Sequence, residues 1–170
     1  MEPFAVGSTV RRAAGSAEQA SCLTIALSLP DFFTREAVEG AMRLDLARHE
    51  TFVAEREGQI VGFLVARRKS QALAEILWLA VSEAFQRQGI GSMLMMTFLA
   101  SCRRQGVRLI EVKTLAPLAN GDNYQPTRAF YEAHHFECLE IIDPFPGWMP
   151  GNPCAIYVRT VDMPQQEARH

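Results

Sequence analysis

The sequence predicts a mixed α/β (α+β) fold around one sheet, with the element order βααβββαβαββ. Three observations carry this expectation. The chain has 170 residues, 48% hydrophobic and 21% charged, which suits one domain able to bury its own core without a metal or disulfide staple. Short runs of strand composition alternate with longer runs of helical period. Residues 75–115 read as strand, helix, strand, a crossover that normally joins parallel strands with a right-handed turn. The domain is expected over residues 8–161, with loose ends at 1–7 and 163–170.

Ser8 to Arg12 is a candidate first strand. Ser16 to Leu29 and Thr34 to Arg48 read as two helices broken at Leu29-Pro30, because a residue before proline is pushed out of the α region. Thr34 is the expected N-cap of the second, with Glu36 in its first turn. Thr51 to Arg56 and Gln59 to Arg67 form a hairpin across Glu57-Gly58, and the second of these strands is apolar on both faces. Glu75 to Val81 holds the densest apolar run. A loop, Ser82 to Gln88, leads into a helix from Gly89 to Gln105 with its apolar stripe at Ile90, Leu94, Phe98 and Cys102. Arg103, Arg104 and Gly106 close that helix favourably. A strand (Val107 to Leu115), a short helix (Thr127 to His134), a strand (Phe136 to Ile142), a Pro/Gly-rich loop and a last strand (Cys154 to Val161) complete the order.

Composition excludes several functions. A net charge of −2 argues against a strong electrostatic grip on nucleic acid or an anionic membrane surface. No apolar run approaches the roughly 18 residues that a membrane span needs. The four cysteines are far apart, with no zinc spacing, so no metal is expected. The first residues lack the basic and apolar regions of a signal peptide, and a cytoplasmic, reduced protein is expected.

The informative stretch is Gln86 to Gly91, between a buried strand and a helix. Gly89 and Gly91 allow a tight backbone with uncovered N–H groups, and the helix start adds unpaired donors and the positive end of the macrodipole. Arg87 supplies a further charge, so the stretch reads as a phosphate cradle. It is neither a P-loop, for which the lysine is missing, nor a dinucleotide fingerprint, whose third glycine would fall at Leu94.

Q-x-x-G-x-G directly after the strand 75–81 resembles the acetyl-CoA-binding motif of the GNAT N-acetyltransferase superfamily. Residues 127–136, containing Tyr131-Glu132 and ending in Phe136, resemble that family's short helix, which commonly ends YExxGF. With the element order, the likeness spans residues 8–161. It implies that the two central parallel strands splay apart and that the arm of acetyl-CoA enters between them. The arm would pair with Leu79, Ala80 and Val81, and the pyrophosphate would lie on Gln86, Arg87, Gln88, Gly89, Ile90, Gly91 and Ser92. Two departures stand out. His135 replaces the usual glycine, so that turn closes with a strained residue or without positive φ. Tyr124 replaces an asparagine of the family's cofactor loop, with Asn123 adjacent.

The resemblance also implies roles. Tyr131 is the candidate acid for the departing thiolate, or else a packing residue. Glu75 matches the general base of the family's histone-modifying branch, or else is a solvated strand-end residue. Glu111 is a weaker candidate for that task. The backbone N–H of Leu79 or Val81 would serve the oxyanion. Phe32, Phe33, Phe145 and Trp148 would either line an apolar acceptor pocket or cover a homodimer interface. The expected function is acetyl transfer from acetyl-CoA to a primary amine by direct attack in a ternary complex. The alternatives are a non-catalytic CoA-binding regulatory or interaction module and an acyltransferase using a longer acyl-CoA.

Overall fold

Glu57 and Gly58 both take positive φ, 52° and 77°, which is the twist that a two-residue hairpin loop needs. The hairpin they close belongs to a seven-stranded sheet in the order β1-β2-β3-β4-β5-β7-β6. The strands are β1 (Ser8–Arg12), β2 (Glu50–Arg56), β3 (Gln59–Arg68), β4 (Leu73–Val81), β5 (Leu109–Leu115), β6 (Glu137–Ile142) and β7 (Cys154–Thr160). All neighbours are antiparallel except β4 and β5, which the crossover joins in parallel. The computed structural model describes residues 7–118 and 121–162; of the loose ends expected at 1–7 and 163–170, all but Gly7 lie outside them.

Helices cover both faces. On one, α3 (Ile90–Arg104) sets Leu94, Met95 and Phe98 against Phe52, Leu64, Ile76 and Val112, and this core also holds Tyr131 of α4 (Gln125–Ala133). On the other, Cys22 and Ala26 of α1 (Ser16–Leu27) join Val38, Met42 and Leu46 over Val53, Phe63 and Val65. The last three helical residues belong to α2, a continuous run over 35–48. Its Thr34 cap accepts the Ala37 N–H at 3.1 Å, as expected, but its middle turn, Val38–Met42, is a π-turn. That turn was not foreseen, because a π-turn leaves the apolar residues in a pattern that an α-helix also gives: Val38, Met42 and Leu46 all stay buried. Cys22, Cys102 and Cys154 are buried free thiols, and Cys138 is exposed.

One irregularity positions everything that follows. β4 and β5 pair only from Leu73–Leu109 to Ile76–Val112. On its other side, β4 pairs Ile76 with Ala66 and Trp78 with Val65, so Leu77 is an extra residue, a β-bulge. A bulge bends its strand and sharpens the twist. Past it β4 stays with β3 as far as Val81, while β5 stays with β7 as far as Leu115. The two parallel strands therefore part, leaving an open slot in the middle of the sheet.

Candidate functional site

The slot's β4 edge, from Trp78 to Val81, has β3 on one side and, among the described residues, no strand on the other. Its N–H and C=O groups there can pair with an extended chain carrying amides. Leu79 and Val81 turn their side chains toward the α3 core, and Ala80 toward the α1/α2 core.

From Val81 the chain runs through a short 3₁₀ turn (Glu83–Phe85) to the start of α3. Gly89 caps that helix in the left-handed region (φ 81°, ψ 0°), with no side-chain cap and no acid in the first turn. The first amides of α3 thus keep their positive end for an anion. Arg87, also left-handed at φ 55°, is exposed beside them. The glutamines brace the loop: Gln86 Nε2 donates to the Val81 carbonyl at 2.9 Å and Gln88 Nε2 to that of Ala84 at 3.0 Å. Gln88 Oε1 accepts from Arg56 at 2.7 Å. Ile90 is buried, and Ser92 Oγ lies 3.0 Å from His134 Nε2. Gly91 has a second reason to be glycine, since a Cβ there would lie 3.2 Å from Phe130 Cε2 where α3 meets α4.

Helix α4 turns its two buried residues, Arg128 and Tyr131, inward, one turn apart. Burial pushes the Tyr131 phenol well above its ordinary pKa, so it carries its proton at neutral pH. Its ring lies edge-on to Phe130 and Phe136, both at 5.5 Å. The turn after it closes at His135, which takes φ 63° in place of the family's glycine. The Phe136 N–H reaches the Tyr131 carbonyl and the His135 N–H that of Glu132, both at 3.0 Å, which is a Schellman closure. Of the two outcomes open at that turn, the chain takes the strained one.

Arg128 is the residue that sequence reasoning missed. Its Nη1 donates to the Leu115 carbonyl at 2.7 Å, and its Nη2 pairs with Asp122. A buried guanidinium thus holds the end of β5 to α4. The available signal was an arginine one turn before Tyr131, on the face that must pack inward. Asn123 is exposed. Tyr124 instead ties the loop down, its hydroxyl donating to the Phe32 carbonyl at 2.7 Å while its ring lies edge-on to Phe32 at 5.4 Å.

Glu75 sits at the closed end of the slot, buried, and not at a solvated strand end. Its Oε2 takes Arg67 at 2.7 Å and its Oε1 takes Lys113 Nζ at 2.6 Å. Lys113 also pairs with Glu111, whose other oxygen takes Lys69 at 3.0 Å. Burial works against the charges of Glu111 and Lys113, yet their mutual hydrogen bonds prevail: the Glu111 pKa is lowered and the Lys113 pKa raised.

Of the four expected rim aromatics, Phe33 lies edge-on to Trp78 (6.2 Å), which is fixed by donating to Asp45 at 2.7 Å. Phe145 and Trp148 contact each other at 5.4 Å in the β6–β7 loop. Phe33 thus packs on Trp78 of the slot's β4 edge and Phe32 on Tyr124 of the loop before α4, while Phe145 and Trp148 pack on each other.

The residues present fit an acyl-CoA. The slot provides an unpaired strand edge, the α3 start an uncapped anion site, and Thr114, on the strand bordering the slot, a buried hydroxyl with no partner among the described residues.

Known proteins share this arrangement. A crystal structure described as an acetyltransferase of the GNAT family from Desulfovibrio desulfuricans is 20% identical and superposes with a TM-score of 0.80, covering 91% of this chain and 99% of that one. The ribosomal-protein-S18-alanine N-acetyltransferase from Escherichia coli is 18% identical, with a TM-score of 0.73 and coverage of 96% and 99%. A GNAT family acetyltransferase from Elizabethkingia anophelis with acetyl-CoA bound is 19% identical, with a TM-score of 0.65 and coverage of 91% and 99%. At these identities the likeness is one of fold. No curated protein matches the sequence. A family model does: the acetyltransferase (GNAT) domain matches residues 47–138, more than half of the chain. The protein belongs to the GNAT acetyltransferase family.

Proposed function

We propose that this GNAT protein is an acetyl-CoA-dependent N-acetyltransferase that acts on a primary amine by direct attack in a ternary complex. The observation that carries the reading is the slot between β4 and β5, opening beside an uncapped helix start. An arm with amides suits the first, and a pyrophosphate suits the second. Leu79, Ala80 and Val81 are proposed for the arm, and the stretch from Gln86 to Ser92 for the pyrophosphate, with Asn123 at the loop.

In the step itself, the amine nitrogen bonds to the thioester carbonyl carbon and the carbon–sulfur bond breaks. Tyr131 gives its proton to the departing thiolate, for which a phenol that stays protonated is suited, and the proton that the nitrogen sheds as the amide forms restores the phenol through water. The proton of the acceptor ammonium goes to Glu75, directly or through water, as one of its ion-paired cations yields. Direct attack is favoured over a covalent acyl-enzyme because burial pushes the thiols of Cys22 and Cys102 up to about 12 and that of Cys154 to about 11, far from a reactive thiolate, and the exposed Cys138 lies on β6 at the sheet's edge. The domain is proposed to span 8–161 and to work in the cytoplasm, where such thiols stay reduced.

A panel of amines, scored by thiol release from acetyl-CoA, tests the reading. Turnover with at least one amine is expected. Silence across the panel with acetyl-CoA still bound would favour a CoA-binding regulatory module, and release only from longer acyl-CoA would change the donor.

A further inference from the structure

The hydroxyl of Thr114 is buried, with the residue 4% exposed, and Oγ1 has no hydrogen-bond partner among the described residues. A buried hydroxyl without a partner is costly, and natural proteins rarely tolerate one without a use. Thr51 shares the condition, but its strand β2 is paired on both sides. Thr114 differs in its place. It lies on β5 two residues beyond Val112, the last residue paired with β4. Side chains alternate along a strand, so Thr114 shares a face with Val112 and Ala116, which pack in the core that contains Tyr131. Its partner on β7, Ala155, belongs to the same core. Carrying the parallel register past the Leu77 bulge brings Thr114 level with Leu79, whose side chain turns to the same face. The two residues thus flank the slot, one on each parted strand.

We propose that Thr114 is a cofactor-binding residue whose hydroxyl exchanges a hydrogen bond with an amide of the acyl-CoA arm. This rests on the reading of the slot and of the helix start given above. The hydroxyl both donates and accepts, so it suits either the N–H or the carbonyl of an amide. No backbone group of β4 can serve it there, because β4 has already turned away. Thr114 would then add a side-chain contact on β5, opposite the backbone contacts on β4.

The test uses Thr114→Val, which keeps the shape and removes the hydroxyl, and Thr114→Ser, which keeps the hydroxyl. Calorimetric titration with acetyl-CoA should show Kd raised roughly 5- to 20-fold in Thr114→Val and nearly unchanged in Thr114→Ser. The thermal midpoint of the free Thr114→Val protein should equal or exceed that of the parent, because a buried unpaired hydroxyl has been removed. ADP, which has a pyrophosphate but no amide arm, should compete equally well against the parent and Thr114→Val. Gly89→Glu, by contrast, should lose acetyl-CoA and ADP together. Parent-like binding of acetyl-CoA by Thr114→Val, an equal loss toward ADP, or a lowered midpoint of the free variant would each overturn the proposal. A parent that binds no acetyl-CoA would overturn the slot reading itself, and this proposal with it.

Discussion

Lys113 Nζ stands 2.6 Å from Oε1 of Glu75, across the point at which β4 and β5 part. The carboxylate proposed to receive the acceptor's proton is therefore already paired, with Lys113 on one oxygen and Arg67 on the other. If it serves as the base, Glu75→Gln should lower kcat/KM at neutral pH, and the rate should recover partly at high pH, where the amine loses its proton to solvent. The same variant should lose about 1–3 kcal/mol of stability, since its buried ion pairs become weaker hydrogen bonds. Glu111→Gln also strips a partner from Lys113, and should cost stability while keeping the basic limb of the pH–rate profile. Superimposable profiles for Glu75→Gln and the parent would leave Glu75 a structural clamp.

Tyr131→Phe should test the acid with little disturbance, because the ring contacts to Phe130 and Phe136 survive. With chemistry rate-limiting, kcat should fall roughly 10- to 10,000-fold with a smaller change in KM for acetyl-CoA. An unchanged kcat would reduce Tyr131 to packing.

His135→Gly should stabilise the protein. The native residue sits at φ 63° in the position where a Schellman turn favours glycine, and left-handed backbone costs an ordinary residue roughly 1–2 kcal/mol. Thermal unfolding should show Tm higher by roughly 2–4 °C for each kcal/mol gained in a domain of this size. A lower Tm would mean that the imidazole makes contacts worth more than the strain.

The charge network should confine stability to a pH window. Glu111 is held below its ordinary 4.5, so its contribution is present above that value and is lost as pH falls through the lower folded pKa. Lys113 is held above 10.5, so its contribution is present below that value and is lost as pH rises through the higher folded pKa. Between the two values the contribution should be flat. In Lys113→Met the alkaline loss should vanish and the acid loss shrink, which denaturant midpoints measured across pH would show.

Much of this was legible before any coordinates. The order of eleven elements rests on local pattern: the doubly apolar run at 60–65, the helical stripe from Ile90 to Cys102, the glycine at 58. The features that suggest an anion site at the start of α3 are local too, since Gly89 and the absence of an acid in the first turn lie within a few residues. Boundaries moved only slightly. β4 begins at Leu73 and not at Glu75, and α4 runs from Gln125 to Ala133, because strand pairing and an early proline extend them.

The rest depends on residues distant in the chain meeting in space. That the central strands part at Leu77 follows from register with β3, which no stretch of β4 encodes alone. Glu75 reads as a strand-end acid until Arg67 and Lys113, 8 and 38 residues away, close around it. Arg128 looks like an exposed helical arginine until it reaches Leu115, and Thr114 like any strand threonine until the neighbouring strand turns away. Periodicity and turn chemistry act over a few residues, so the chain's local order states them directly. Buried charge and an unpaired hydroxyl acquire meaning only from their partners, and those partners are chosen by the packing of the whole sheet.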